Sequence, residues 1–443
     1  MLHEELIRRD AAAIAGVEKL RFFPATMKSG SGAHLTALDG RDYLDLTATW
    51  TAAGLGYGHP RVAAAVTEVL RGQPGAGLSI MHEPAVLLAE RLLALAPGQG
   101  DRRVYLGHAG SDACDVALRC ARHATGKRKI VAFNHSYHGG FGVAQAVSGV
   151  LVEGGAQVDP DAVFVPYPNP LRPHKGTVAE SVADALAQVE TALAGGDVAV
   201  VVVEPILADG GLVVPPPGFL AQLAELVHRF DTLLMIDEVK VGLARTGRMH
   251  AYEHDAVTPD IVCFGKSLGG GLPIGAAVGP AWVLDAPSAS ALLTMAGNPV
   301  CATAALAVLD ELEEQDYASR AASLGAYFAE RLRDLMAGGG VQGGRSAGYI
   351  GDVRGHGLYI GLELVLDRDT AAIASDMTRK VIYRMWQLGV TVFSVGENVL
   401  EITPPLVITR ADIDTAIGVI DQAICDVADG AVNDAEVAAY SGW

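Results

Sequence analysis

The sequence predicts an α/β fold with a mainly parallel sheet in a large domain, plus a smaller α+β domain. Two observations support this prediction. Segments with helical spacing, such as residues 182–196 and 217–231, alternate with short apolar runs. The runs lack polar alternation, which is typical of strands covered on both faces. They span residues 104–107, 129–134, 162–167, 198–205, 232–239 and 260–265.

The alternation of apolar strands and helical segments ends near residue 315, which predicts a domain boundary there. An amphipathic stretch over 317–337 is followed by a glycine-rich loop and then by the apolar segment 353–365. The N-terminal residues do not belong to the strand–helix alternation. We therefore expect a large α/β domain over 61–312 and a small domain that combines 1–60 with 313–443.

Composition bounds the class of protein. The chain has 443 residues, half of them hydrophobic, and a formal net charge of -18. An acidic surface argues against nucleic acid or an anionic membrane as partner. No segment reaches the roughly 18 apolar residues that span a bilayer, and the N-terminus does not resemble a signal peptide. The five cysteines are scattered without a Cys-x-x-Cys pair, which predicts reduced thiols, a cytoplasmic location and no bound metal.

Polar residues and glycines follow several predicted strands at their carboxyl ends. In open α/β sheets that edge is where ligands bind, so these residues are expected to surround one site. They are Gly110 and Ser111, Tyr137 and His138, Glu204, Asp237 and Lys266.

Each of these residues has an ordinary structural explanation as well as a functional one. Gly110 and Ser111 could bind an anion at a helix N-terminus or simply cap that helix. Asp237 could pair with a cationic ring nitrogen, form a salt bridge or cap a helix. Tyr137 could stack on a planar ligand or pack in the core, and Lys266 could be solvated. Together, however, they are the parts needed to hold pyridoxal 5'-phosphate, whose ring serves as an electron sink.

Ordered motifs then identify a family. The chain resembles class III pyridoxal phosphate aminotransferases of fold type I over nearly its whole length. The matching stretches include "DLTATWTAAGLGYGHP", "GSDACDVALR", "SYHGG", "VEPI", "IDEVKVGLARTGR", "FGKSLGGGLPIGA", "TMAGNPVCATAAL", "RGHGLYIGLEL" and "ITPPLVIT".

The resemblance implies roles for several residues in cofactor binding. Gly110 and Ser111 would bind the phosphate, and Lys266 would form the Schiff base. Asp237 would pair with the ring nitrogen, and Tyr137 would stack on the ring. The usual serine before Gly110 is Ala109 here, so that contact is lost or replaced.

The resemblance also implies a shared active site in a homodimer. Thr294 would reach the phosphate from the neighbouring subunit. Val239 would pack against the ring face opposite Tyr137. His138 and Glu204 match positions of the family's cofactor site, with less defined roles.

Three positions depart from an ordinary aminotransferase. Glu401 stands where an arginine usually binds the substrate carboxylate, and Lys240 replaces a common glutamine. Asp209 lies in the loop after Glu204. Racemisation, unlike transamination, returns the proton to Cα from the face opposite the lysine and so needs an acid there. Asp209 is the candidate, with Lys240 to orient it; an ordinary loop aspartate and a surface lysine are the alternative.

A narrower resemblance supports racemisation. Stretches such as "ADGGLVVPPPGFL", "VLEITPPLVIT" and the terminal "SGW" look like those of the amino-lactam and amino-acid racemases of this family. In these enzymes Trp50 and Tyr137 would contact the substrate. The expected function is inversion of the α-carbon of α-amino-ε-caprolactam, an amino acid amide or an apolar amino acid. The alternatives are a class III aminotransferase and a cofactor-binding protein without catalysis.

Overall fold

The computed structural model describes residues 3–72, 77, 79–96, 98–440 and 442. The chain divides into two units. One is Pro60–Ala318, and the other combines Met1–His59 with Ser319–Trp443. Among the described residues, no helix is both long and apolar enough to cross a membrane.

The strands and helices are numbered in chain order. The strands are β1 (Met27–Ser31), β2 (His34–Ala37), β3 (Asp42–Asp45), β4 (Arg102–Gly107), β5 (Lys129–Phe133), β6 (Ala162–Val165), β7 (Val198–Val203), β8 (Leu233–Asp237), β9 (Ile261–Phe264), β10 (Gly275–Pro280), β11 (Ile350–His356), β12 (Tyr359–Leu364), β13 (Val390–Thr391), β14 (Phe393–Val395) and β15 (Val399–Ile402). The helices are α1 (His3–Ala13), α2 (Pro60–Gly72), α3 (Glu83–Leu95), α4 (Gly110–Thr125), α5 (Gly142–Ala146), α6 (Gly149–Glu153), α7 (Val178–Ala194), α8 (Phe219–Arg229), α9 (Ala281–Leu284), α10 (Pro299–Glu314), α11 (Tyr317–Met336), α12 (Ser375–Gln387), α13 (Arg410–Ala428) and α14 (Asp434–Val437).

The unit Pro60–Ala318 is built on a sheet with the strand order β4-β10-β9-β8-β7-β5-β6. Strands β5 to β9 pair in parallel, whereas β10 runs antiparallel to β4 and β9. Every residue of β7 and β8 is buried, which explains why β7 is apolar throughout and β8 is apolar up to its last residue, Asp237. The predicted α/β class with a mainly parallel sheet is confirmed.

Helix α4 packs its apolar side on this sheet. Ala113, Ala117 and Ala121 are fully buried, and they belong to one core cluster with strand residues such as Val200 and Met235. Small side chains on the helix allow a close approach to the strands. The N-terminus of α4 directly follows β4, so the helix begins at the carboxyl edge of the sheet.

The unit of Met1–His59 and Ser319–Trp443 has two four-stranded sheets. One has the order β1-β2-β3-β13 and the other β11-β12-β15-β14. The second sheet is antiparallel throughout. Helices α12 and α13 pack against each other in this unit, and most of their apolar residues are buried. The smaller α+β domain that the sequence predicts is confirmed.

A strained turn follows β3 in this unit. Four consecutive residues other than glycine, residues 48–51, have positive φ angles between 43° and 67°. Each such residue costs roughly 1 kcal/mol, so the turn must be held by its surroundings. The fully buried Asp45 carboxylate accepts hydrogen bonds from the Thr47 amide and hydroxyl, the Tyr57 hydroxyl and the Thr391 hydroxyl, at 2.7–2.9 Å.

Replacement of Asp45 by Ala is therefore expected to destabilise the protein by about 3 kcal/mol, because several buried donors lose their acceptor and the left-handed turn loses its support. Urea unfolding measures this change. Asp39→Ala is the control, since Asp39 lies on an exposed turn and its bonds go to Arg41. An equal loss in both variants would show that the Asp45 bonds do not hold the turn.

Candidate active site

The carboxyl edge of the large sheet gathers most of the residues that the sequence predicts for the site. Gly110 begins α4 after β4, Tyr137 follows β5, and Glu204 follows β7. Asp237 is the last residue of β8, and Lys266 follows β9. Since β5, β7, β8 and β9 are parallel, their last residues share one edge.

The N-terminus of α4 has backbone amides that suit an anion. The Asp112 carboxylate accepts hydrogen bonds from the amides of His108 and Ala109, each at 2.7 Å. The amides of Gly110 and Ser111 lie in the first helical turn, where a helix offers no carbonyl partner. A Cβ atom on Gly110 would lie 2.4 Å from Val239 Cγ1, so only glycine fits there. This geometry suits a phosphate group.

The loop that contains Tyr137 is held from two sides. The Gly140 amide donates to Ser111 Oγ at 3.2 Å, and the Tyr137 amide donates to Glu204 Oε1 at 2.9 Å. Glu204 Oε2 accepts a second backbone bond, from Ala208, at 3.1 Å. Glu204 thus joins the Tyr137 loop to the loop that follows β7. Burial raises the pKa of this carboxyl to about 7.

Asp237 is buried and accepts several hydrogen bonds. His138 Nδ1 lies 2.9 Å from Oδ2, the Cys114 thiol donates to the same oxygen at 3.6 Å, and the Val239 amide donates to Oδ1 at 3.0 Å. A carboxylate has about four acceptor positions, so one remains for a ring nitrogen. Sequence reasoning did not identify Cys114, because a cysteine inside an apolar helix gives no functional signal.

Lys266 opens a short 3-10 turn directly after β9, and its φ angle is 43°. A left-handed lysine is strained, and such strain is found preferentially at functional sites. Gly265 before it makes a close approach, since a Cβ there would lie 2.9 Å from the Gly110 nitrogen. The glycine before Lys266 therefore allows the end of β9 to approach the N-terminus of α4 closely.

A buried ion pair lies next to this group. Lys240 Nζ donates to Asp209 Oδ1 at 2.7 Å, and the two side chains are 5% and 8% exposed. Burial alone would raise the pKa of Asp209, but the charges of Lys240 and Lys266 outweigh it and hold that pKa below its usual value. Burial raises the pKa of the Tyr137 hydroxyl, and the negative charge of Asp209 adds to this effect. The structure thus brings together Asp209, Lys240, Lys266 and Tyr137; the alternative of a surface lysine at 240 is wrong.

Three further residues were named from the sequence. Thr294 is exposed, and its backbone carbonyl oxygen would lie 2.3 Å from a Cβ atom added at Gly77. Its contact with a neighbouring subunit stays a prediction. Trp50 belongs to the other unit, on the strained turn, with its ring 4.7 Å from that of Phe393. Its assignment to the substrate pocket also stays a prediction. Glu401, in that unit too, is buried and accepts a hydrogen bond from the Tyr359 hydroxyl at 3.2 Å.

The residues present fit pyridoxal phosphate. The cradle at Gly110 and Ser111 suits a phosphate, the open acceptor position of Asp237 suits a protonated ring nitrogen, and Lys266 can hold the aldehyde carbon. Val239, half-buried beside Gly110, and Tyr137 offer the apolar and aromatic contacts that a flat ring needs. Among the described residues no group of histidine, cysteine and carboxylate side chains is arranged to hold a metal ion.

Comparison with known proteins agrees with this geometry. A family model described as Aminotransferase class-III matches residues 15–424. A leucine/methionine racemase from Thermococcus litoralis is 34% identical, and the match covers 100% of both chains. An acetylornithine aminotransferase from Mycobacterium leprae is 36% identical over 91% of this chain and 93% of its own. The crystal structure of ornithine aminotransferase from Toxoplasma gondii matches with a TM-score of 0.83 and 27% identity, covering 97% of this chain and 96% of that one. The family depends on pyridoxal phosphate.

The raised pKa of Glu204 predicts a pH-dependent contribution to stability. The folded carboxyl keeps its proton up to a pH of about 7, whereas the unfolded one loses it near its ordinary value of 4.5. Between these values the folded state binds more protons, so stability falls as the pH rises, by about 1.4 kcal/mol per pH unit at most. Glu204→Gln removes this titration. The stability of the wild type relative to Glu204→Gln should therefore decline from pH 5 to pH 7.5 in urea unfolding, and a constant difference would contradict the raised pKa.

Proposed function

We propose that this chain, which belongs to the class-III aminotransferase family, is a pyridoxal phosphate-dependent racemase or epimerase. Its substrate is α-amino-ε-caprolactam, an amino acid amide or an apolar amino acid, and the reaction inverts the α-carbon by two-base proton transfer. The observation that supports this most is the buried Asp209–Lys240 ion pair beside Lys266 and Tyr137. A pair of this kind provides a second acid–base group in addition to the lysine.

The bound cofactor would withdraw electrons from the substrate Cα and so make its proton acidic. Gly110 and Ser111 would hold the phosphate, and Asp237, oriented by His138, would hold the ring nitrogen. Tyr137 and Val239 would cover the two faces of the ring, and Glu204 fixes the Tyr137 backbone. The hydrogen bonds and close contacts at the carboxyl edge of the sheet support these roles.

Two groups move the proton. For one enantiomer, Lys266 Nζ accepts the Cα proton on one face, and Asp209 in its protonated form returns a proton on the opposite face. For the other enantiomer the roles are reversed: the Asp209 carboxylate accepts and the Lys266 ammonium donates. Each turnover changes the protonation of both groups, so proton exchange with solvent or reaction of the other enantiomer restores the starting state.

Lys240 keeps Asp209 able to act as a base. A carboxylate as deeply buried as Asp209 would otherwise be protonated at neutral pH. The ammonium group of Lys240, at 2.7 Å, compensates the desolvation and also fixes the orientation of the carboxylate. Lys240 is therefore proposed as part of the catalytic pair although it does not itself exchange the Cα proton.

Substrate and assembly are proposed on separate grounds. The relative from Thermococcus litoralis is named for leucine and methionine, which favours an apolar amino acid. A lactam or amide instead fits the glutamate at position 401. A homodimer is proposed from the family and from exposed apolar side chains near Thr294, such as Leu292 and Met295, which are 62% and 51% exposed.

The second candidate is an aminotransferase, and it has support of its own, since the acetylornithine aminotransferase from Mycobacterium leprae shares 36% identity with this chain. In that reaction Lys266 alone would accept and donate the proton, and the cofactor would carry the amino group. Asp209 and Lys240 would then have no catalytic role.

One experiment separates the two functions. The holoenzyme is incubated in deuterated water with one enantiomer of α-amino-ε-caprolactam, of an apolar amino acid amide or of isoleucine, with and without a keto acid. Chiral chromatography and mass spectrometry follow the products. Inverted substrate with deuterium at Cα, formed without a keto acid, supports the racemase. A keto product that requires the keto acid, without inversion, supports the aminotransferase.

Replacement of Asp209 by Asn should remove the proton transfer on one face only. Racemisation is expected to fall by at least about 100-fold, the usual size of an acid–base contribution. The enantiomer whose proton Lys266 accepts should still exchange Cα hydrogen for deuterium without inversion. Lys266→Ala should abolish both reactions. Unchanged racemisation in Asp209→Asn would mean that the second base is another group.

Replacement of Lys240 by Met should shift the pH profile of racemisation. Without the ammonium group, burial raises the pKa of Asp209, so the carboxylate is lost at a higher pH than in the wild type. The acid limb of kcat/KM is expected to move upward by about 1 to 3 pH units. Lys175→Met is the matched control, because it breaks an exposed Lys–Asp pair in the same unit, with Asp184. Identical profiles for wild type and Lys240→Met would exclude this role.

A further inference from the structure

The Cys114 thiol donates a hydrogen bond to Asp237, the carboxylate that we propose binds the ring nitrogen. Cys114 is on the first turns of α4, is fully buried and donates to Asp237 Oδ2 at 3.6 Å. The same oxygen accepts from His138, so two side-chain donors share it. Both come from segments that also form the phosphate and ring contacts.

A second thiol stands beside the first. Cys263 is the direct neighbour of Asp237 in the parallel pairing of β8 and β9, so both side chains project from the same face of the sheet. Cys263 and Cys114 are both fully buried and belong to the same core cluster. A carboxylate oxygen is a much stronger acceptor than a sulfur atom, so the single proton of Cys114 points to Asp237.

The thiol is a neutral donor throughout the working pH range. The neighbouring Cys263 thiol, burial and the Asp237 charge raise the pKa of Cys114 well above the usual value. A thiolate at this position would place a second negative charge against Asp237. A neutral S–H group instead disperses the negative charge of the carboxylate, though less than a hydroxyl would.

We propose that Cys114 is a positioning residue that controls, through its bond to Asp237 Oδ2, how the proton is shared between Asp237 and the cofactor's ring nitrogen. The inference rests on the proposed cofactor site but not on the choice between racemase and aminotransferase. A carboxylate with fewer donors is a stronger acceptor, so the shared proton moves toward it and away from the ring. The weak thiol donor sets an intermediate position.

The test measures the ring nitrogen directly. Wild type, Cys114→Ala and Cys114→Ser are loaded with pyridoxal phosphate labelled with ¹⁵N in the ring, and solid-state NMR of the sedimented holoenzymes records its chemical shift. Relative to wild type, Cys114→Ala should move the resonance toward that of unprotonated pyridine, and Cys114→Ser should move it the opposite way. Cys120→Ala and Cys120→Ser are the controls, because Cys120 is buried on the same helix.

Opposite shifts in the two Cys114 variants, larger than any shift in the Cys120 variants, support the proposal. Shifts of the same sign, or no larger than in the controls, overturn it, because a packing change does not follow donor strength. Asp237→Asn provides the reference that separates this failure from a failure of the cofactor site. If that variant leaves the resonance unchanged, Asp237 does not contact the ring, and the assigned site is wrong together with the role of Cys114.

Discussion

The cost of burying ionised side chains at one edge of a sheet is the constraint on which the whole site depends. A carboxylate in an apolar interior is unstable unless charge or hydrogen bonds compensate it. Asp209 is compensated by the Lys240 ammonium group, and its pKa is lowered. Glu204 is equally buried, its carboxyl accepts from the backbone amides of Tyr137 and Ala208, and burial raises its pKa to about 7. Two carboxyls a few residues apart thus acquire opposite properties from their partners alone.

Backbone strain is the second cost, and it is found at positions that the sequence predicts for the site. Lys266 has a left-handed conformation immediately after a buried strand, and residues 48–51 form a left-handed turn that includes Trp50. Both are supported by bonds from residues distant in sequence or by glycines that permit close approach. The rigid strands before these positions contribute enough stability to offset the free-energy cost of the strained backbone.

The difference between a racemase and an aminotransferase is small in structural terms. Both need a lysine, a phosphate cradle and a partner for the ring nitrogen, which are properties of the shared fold. What distinguishes them is whether a second group can exchange a proton with Cα on the other face. In this chain a loop aspartate and the lysine at position 240, neither on a strand, provide that group under our proposal. Under our second proposal, Cys114 changes how the proton is shared between Asp237 and the ring nitrogen, which would affect either reaction.

By itself the sequence determined the fold class, the family, the cofactor and the identity of the residues at the strand ends. These follow from local signals, since apolar runs, glycine positions and motif order depend on a few neighbouring residues. Only the tertiary structure decided which side chains meet. Asp209 and Lys240 form an ion pair although they are 31 positions apart in the sequence. The backbone bonds of Glu204 reach residues 4 and 67 positions away. Cys114 contacts Asp237 over 123 positions. Such contacts are set by the packing of α4 and the loops on the sheet, and the polar or apolar character of a single residue does not reveal them.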